Sequence, residues 1–345
     1  MIRALVVEDS STVAELIVSM LQSDPGIRVV GVANDGREAV RAAQRLTPDI
    51  ITMDVNMPVM DGLAATKEIM TLVPTPIIIV SSVANQSAVS LSLDATQAGA
   101  LMVLPKPESP LGDGFDSQKT QLVSMVKAMA QVKVVRRWPT GRTPTDVLVG
   151  APEAVRHRSG IRAIVIGCST GGPAALRRLL GALPASLPVP ILVVQHMARG
   201  FVTGLAAWLD GGTLLDVRVA TDQEFARPGR VYLAPDDRHL CVTRSGRITF
   251  SNAPPAGGFR PSVSVLFSSA AQAYGSGTMG ILLTGMGNDG VSGLRDLRDA
   301  GALLLAQDEA TSVVYGMAQE AVRAGLPDAV LPLDGIAARI AELAP

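Results

Sequence analysis

The apolar positions of this chain fall into two stretches that alternate short apolar runs with helically spaced segments, separated by a stretch broken up by proline and glycine. In the first third, the runs Ile2–Val7, Val29–Ala33, Ile50–Met53, Ile77–Val80 and Gly99–Leu104 read as strands. Helical spacing lies between the first of them, at Ser11–Leu21 and Gly36–Leu46. This alternation predicts a doubly wound α/β domain over residues 1–107, with a parallel sheet covered by helices on both faces. Residues 108–160 read as an interdomain linker, in which Pro110, Gly112, Gly114, Pro139, Gly141, Pro144 and Gly150 leave one helical pattern near Lys119–Gln131. The alternation resumes at Ile161 and predicts a second parallel-sheet α/β domain over 161–345.

Composition narrows the classes. With 345 residues and 48% hydrophobic content, the chain can bury two cores of ordinary size. A formal net charge of −1 gives no general attraction to nucleic acid or to an anionic membrane. Lys133, Arg136, Arg137, Arg142, Arg156 and Arg158 cluster in the linker on no recognisable binding element, so a solvated connection is the expectation there. Cys168 and Cys241 form neither a disulfide framework nor a metal-ligand spacing. No leader pattern and no apolar run of membrane-spanning length is present, so a cytoplasmic protein without membrane insertion is expected.

The strand ends of the first domain carry chemistry. Glu8 and Asp9 follow the first strand, Asp54 the third, Ser81 the fourth and Lys106 the fifth. In an open parallel sheet these ends converge on one crevice, where carboxylates repel unless a cation joins them. A hard ion such as Mg²⁺ suits such a set, and Asp54 could then accept a phosphoryl group whose oxygens Ser81 and Lys106 bind. The bland alternative is that Asp9 or Ser10 merely caps the next helix. Val7-Glu8-Asp9-Ser10, Met53-Asp54-Val55-Asn56-Met57-Pro58 with Asp61-Gly62, and Pro105-Lys106-Pro107 resemble the receiver domain of two-component response regulators. That resemblance implies Mg²⁺ on Glu8, Asp9 and Asp54, phosphorylation of Asp54 by a histidine kinase, and signalling through Ser81 and Lys106. The family commonly has an aromatic switch residue where this chain has Val103.

In the second domain the apolar run Ile161–Ile166 breaks into Gly167-Cys168-Ser169-Thr170-Gly171-Gly172 and then a helical pattern from Pro173. Gly167-x-Ser169-x-Gly171 predicts a strained strand-to-helix elbow presenting the Ser169 hydroxyl as nucleophile, beside helix N–H groups that would receive an oxyanion. A base must come from His157, His196 or His239. His157 lies in the linker, whereas His196 ends the run Ile191–Gln195 on the same rim as Ser169 and is favoured over His239. Asp289, in the glycine-rich loop after Met279–Thr284, would orient the imidazole. The order Ser, His, Asp differs from that of α/β-hydrolases, Ser, Asp, His. The glycine loop Gly167–Gly172 has neither the G-x-G-x-x-G spacing nor the following lysine of a P-loop, which weighs against nucleotide binding there, and Cys168 reads as a small buried residue rather than a thiol nucleophile.

The segments Gly167–Gly172, Val194-Gln195-His196-Met197, Tyr232-Leu233-Ala234-Pro235, Arg260-Pro261-Ser262 and Thr284–Gly290 resemble the catalytic domain of the chemotaxis protein-glutamate methylesterase family, CheB. The resemblance covers nearly the whole chain and implies a phosphorylation-regulated hydrolase acting on γ-glutamyl methyl esters of methyl-accepting chemotaxis receptors, with deamidation of receptor glutamines. It assigns Ser169, His196 and Asp289 to catalysis and sets Thr170 and Met286 beside the reacting group. It implies no cofactor for ester hydrolysis. Ser264 stands where the family often has Asp, and Ala318-Gln319 where Pro-Lys is usual. Neither departure is expected to touch the three catalytic positions, but both bear on receptor choice, and a paralogue in a non-flagellar chemosensory pathway is the alternative. A phosphorylation-controlled docking protein without turnover is the rival from another class. A DNA-binding output domain lacks a basic recognition helix.

Overall fold

The computed structural model describes residues 1–82, 86–107, 114–132, 134 and 160–344. His157 and the basic linker positions named above lie outside the described residues. The chain divides into two compact units, Met1–Val147 and Leu148–Pro345.

Unit 1 runs β1 (Ile2–Val7), α1 (Ser11–Gln22), β2 (Ile27–Ala33), α2 (Gly36–Leu46), β3 (Ile50–Met53), α3 (Gly62–Leu72), β4 (Ile77–Ser81), α4 (Gln86–Ala98), β5 (Met102–Pro105) and α5 (Phe115–Met129). Its five strands are parallel, in the order β2-β1-β3-β4-β5. All residues of β3 and β4 are buried, which is why these strands read as continuous apolar runs rather than alternating ones. Helix α5, expected inside the linker, belongs to this unit. It buries Leu122, Val126 and Met129 and packs beside α1, and Lys127 Nζ lies 2.9 Å from Asp24 Oδ2. Its apolar stripe needs a partner, and the face of α1 supplies one.

Unit 2 continues with β6 (Ala163–Cys168), α6 (Gly172–Gly181), β7 (Ile191–Gln195), α7 (Val202–Asp210), β8 (Asp216–Val219), β9 (Arg230–Leu233), β10 (His239–Val242) and β11 (Ile248–Ser251). It ends with α8 (Val263–Tyr274), β12 (Thr278–Leu282), α9 (Val291–Asp299), β13 (Leu303–Gln307), α10 (Met317–Arg323), β14 (Ala329–Leu331) and α11 (Leu333–Ala341). Seven parallel strands form one sheet, ordered β14-β13-β12-β6-β7-β9-β8, while β10 and β11 form a separate antiparallel hairpin. The chain leaves β6 toward β7 and later returns on its other side as β12, so the strand order reverses at β6. In open α/β sheets that reversal opens a crevice at the carboxyl ends of the strands, where ligands bind.

Candidate active site and acidic cluster

Register brings Ser169 and His196 together. Cys168 pairs with Gln195 across β6 and β7, so the residues that follow leave neighbouring strands side by side. The His196 N–H donates to Cys168 O at 2.9 Å, and the Ser169 N–H donates to Thr284 O at 3.0 Å. Gly285 permits the last contact, since a Cβ there would lie 2.8 Å from Ser169 Cβ. The expected elbow strain is not at the serine: Gly171 has the left-handed backbone, φ 77°, and Ser169 is absent from the residues of positive φ. The turn is therefore made by the glycine that opens α6, which spares Ser169 a positive φ.

His196 Nε2 lies 2.9 Å from Asp289 Oδ2, and both side chains are almost wholly buried. Asp289 also accepts from the N–H of Val263 at 2.7 Å, Ser264 at 3.1 Å and Gly290 at 2.8 Å, and from the Ser262 hydroxyl at 2.9 Å. Burial alone would raise the carboxyl's pKa, but the bonds from His196 and from the backbone outweigh it and hold Asp289 down to about 2. It is an anion at neutral pH, able only to accept. His196 Nδ1 is buried and has no hydrogen-bond partner among the described residues.

His239, by contrast, is saturated. It is fully buried at the start of β10, its Nδ1 accepts from the Ser262 N–H at 3.2 Å, and its Nε2 is 3.2 Å from Pro254 O. It braces the loop that carries Ser262 instead of facing Ser169. Burial pushes the Cys168 thiol well up, and its Sγ donates to Gln195 Oε1 at 3.0 Å, as suits a packed thiol. Thr170 is buried, its carbonyl accepting from Thr284 Oγ1 at 2.9 Å, and Met286 is 45% exposed at the rim. No backbone hydrogen bond among the described residues takes up the N–H of Thr170 or Met286.

Some site residues were missed. Gln195 donates from Nε2 to the carbonyls of both Ser169, at 2.8 Å, and His196, at 2.7 Å, tying the two turns together. Its signal was available: an amide closing an otherwise apolar buried run needs partners. Ser262 caps α8 and holds Asp289. Ser264 requires a correction, because it does touch the cluster. Its N–H reaches Asp289 and its Oγ accepts from the Gly290 N–H at 2.8 Å. The contact arises because α8 begins against the Asp289 loop, a tertiary juxtaposition without a local signature.

In unit 1 the strand ends converge as expected. Lys106 Nζ lies 2.8 Å from Glu8 Oε1 and 2.9 Å from Asp54 Oδ2, and the Val55 N–H donates to Asp54 Oδ1 at 2.8 Å. Glu8, Asp9 and Asp54 each offer a carboxylate oxygen within 4.8 Å of the others. Burial raises the Glu8 pKa, and the neighbouring Asp54 charge adds to this against the opposing bond from Lys106. Burial works to lower the Lys106 pKa, but its two carboxylate partners outweigh that and raise it. Three crowded carboxylates facing one ammonium suit a hard divalent cation with oxygen ligands. Ser81 Oγ is buried beside this rim with no hydrogen-bond partner among the described residues. Ser10 caps α1 without a side-chain bond and Asp9 stays exposed, so helix capping does not account for Asp9. Val103 is buried in β5.

A doubly wound acidic-pocket domain followed by an α/β unit with Ser, His and Asp at its crevice defines a response regulator with an esterase-type output. The comparisons agree. The description "CheB methylesterase" matches residues 164–340 and "response regulator receiver domain" matches residues 4–111. Protein-glutamate methylesterase/protein-glutamine glutaminase 4 of Myxococcus xanthus (strain DK1622) is 51% identical over 342 residues, covering 98% of this chain and 96% of that one. The Nitrosospira multiformis (strain ATCC 25196 / NCIMB 11849 / C 71) protein-glutamate methylesterase/protein-glutamine glutaminase is 45% identical over 345 residues, covering 99% of this chain and 97% of that one. The crystal structure of the Thermotoga maritima CheB methylesterase catalytic domain aligns with TM-score 0.51 at 39% identity, covering 53% of this chain and 98% of that one. The chain belongs to the CheB methylesterase family and carries that family's receiver domain.

Proposed function

We propose that this chain hydrolyses γ-methyl esters of glutamates on methyl-accepting chemotaxis receptors, and deamidates receptor glutamines by the same chemistry, resetting sensory adaptation under control of its receiver domain. The observation that carries the chemistry is the ionised Asp289 bonded to His196 Nε2, with His196 and Ser169 leaving adjacent strands. Ser169 Oγ bonds to the ester carbonyl carbon while its proton passes to His196 Nδ1. The backbone N–H groups of Thr170 and Met286 receive the oxyanion. The imidazolium then protonates the leaving methoxide, methanol departs, and a glutamyl ester remains on Ser169. Water, activated by the same nitrogen, cleaves that ester to release the glutamate carboxylate and restore the serine. With glutamine the leaving group is ammonia.

Asp54 accepts a phosphoryl group from a chemotaxis-type histidine kinase, with Lys106 and Ser81 binding its oxygens. Glu8, Asp9 and Asp54 would hold Mg²⁺, which would supply positive charge to offset that of the transferred group. Among the described residues no helix is long and apolar enough to cross a membrane. The reading has the protein working in the cytoplasm on the helical regions of receptors.

The test is methanol release from methylated receptor by wild type and by Ser169→Ala, with receptor glutamates followed by mass spectrometry. Release by wild type alone supports the reading. Equal release by both removes Ser169 as nucleophile, and binding without release by either favours the docking protein.

A further inference from the structure

The ring of Phe259 lies flat against the imidazole of His196, with ring centroids 4.1 Å apart and planes 3° from parallel. Neutral aromatic pairs favour centroid separations of about 4.5–7 Å, in edge-on or offset arrangements. A cation gains from an aromatic face within about 6 Å of its centroid, so this closer, parallel contact suits a charged imidazole better than a neutral one.

Phe259 is held there deliberately by its surroundings. Its N–H donates to Ala256 O and its carbonyl accepts from the Ala256 N–H, both at 3.0 Å. Between them Gly257 and Gly258 have φ of 59° and 88°, the left-handed pair that a type I′ turn demands. Space around both glycines is open, so backbone conformation and not crowding selects them. The next residue, Arg260, donates to Asp237 Oδ1 at 2.9 Å from Nε and at 2.7 Å from Nη2. Asp237 also pairs with Arg199, on the loop that carries His196, at 2.7 Å. The turn bearing Phe259 and the loop bearing His196 are thus fastened to one carboxylate.

We propose that Phe259 is a positioning residue that fixes the plane of the His196 ring and stabilises its protonated form as that form develops during proton transfer from Ser169. The proposal rests on His196 being the base. Because the imidazole is neutral before the proton arrives, the gain is realised in the transition state and not in the ground state, and so raises kcat without tightening substrate binding. Among the described residues Asp289 is bonded to Nε2, and the Arg260, Asp237 and Arg199 cluster joins the segments that carry Phe259 and His196.

The experiment compares Phe259→Leu and Phe259→Tyr with wild type in the full chain, by methanol release across pH and by proton NMR of the histidine rings. Phe259→Leu should lower kcat about tenfold with KM within about twofold, and move the acid limb of the rate profile to lower pH. Phe259→Tyr should restore both. The His196 ring protons should lose their aromatic ring-current shift in the leucine variant alone, which verifies the stack in a folded protein whatever the activity. Leucine kinetics equal to wild type, or a raised KM with unchanged kcat, would overturn the proposal. Failure of the base assignment has a separate signature, namely a His196→Ala variant that keeps its activity.

Discussion

Asp289 and His196 meet through Nε2, at 2.9 Å. An anionic carboxylate cannot donate, so the Nε2 proton lies on this bond and the lone pair of the neutral ring is on Nδ1. Asp289→Asn reverses that arrangement, because an amide can offer its own N–H and stabilise the other tautomer. We expect a loss of about 10³–10⁴ in kcat with little change in KM, measured by methanol release. Ser169→Ala combined with Asp289→Asn should be hardly worse than Ser169→Ala alone, since the groups act as a unit. Losses that multiply would mean they do not.

The same carboxylate makes stability depend on acid. Its folded pKa, about 2, lies below the ordinary value of 3.8. The stability this contributes is fully present above pH 4 and is lost as pH falls through 2. By linkage it is worth about 2 kcal/mol. Urea unfolding of wild type and Asp289→Asn should therefore differ most above pH 4, with the part due to ionisation fading between pH 4 and 2. A difference that stays constant over that range would show that ionisation of Asp289 does not stabilise the fold.

Gln195 couples the two catalytic turns from below. Gln195→Leu strands the carbonyl of His196, whereas the Ser169 carbonyl keeps the Gly172 N–H at 2.8 Å and the Cys168 thiol keeps the Val194 carbonyl. One unsatisfied carbonyl costs about 1–3 kcal/mol, so denaturant unfolding should report a loss of about that size, together with a lower kcat. Unchanged stability would mean the two turns are held by their strands alone.

These residues show which parts of the site could be read from sequence. Ser169, His196, Asp54 and Lys106 were legible because each directly follows a buried strand, and parallel strands bring their ends to one rim. Asp289 was legible through its loop, one strand away. Phe259 was not, because its contact with His196 depends on where a turn between β11 and α8 folds back across the sheet. Nor was the place of the left-handed turn: Gly167-x-Ser169-x-Gly171 is compatible with an elbow at the serine, and only backbone angles show that Gly171 makes it. The boundary near 107 failed to include α5 because prolines and glycines around it mimic a linker, while its buried face is matched to a helix a hundred residues earlier.

In the acidic pocket Lys106 bonds Glu8 and Asp54 together, so a phosphoryl group arriving on Asp54 must draw the ammonium toward its own oxygens. Labelling of the protein by a small acyl phosphate should require Mg²⁺ and disappear in Asp54→Asn. Lys106→Met should still be labelled, since the lysine is not the acceptor, yet should lose the effect of labelling on esterase rate. Labelling that persists in Asp54→Asn would move the acceptor elsewhere.

Regulation is the remaining step. A receiver can govern a hydrolase on the same chain only if its phosphorylated and unphosphorylated forms differ in the hydrolase activity they permit. We expect a chain beginning near Gly160, just ahead of β6, to hydrolyse methyl esters faster than the full-length unphosphorylated protein. A restraint of about 1.4 kcal/mol corresponds to about a tenfold gain, and phosphorylation should bring the full chain toward the truncated rate. Val103 is buried in β5, next to the strand that ends in Ser81, and we expect Val103→Tyr to alter the gain from phosphorylation more than the basal rate. If truncation leaves the rate unchanged while phosphorylation still raises it, the receiver acts by promoting productive substrate binding and not by restraint.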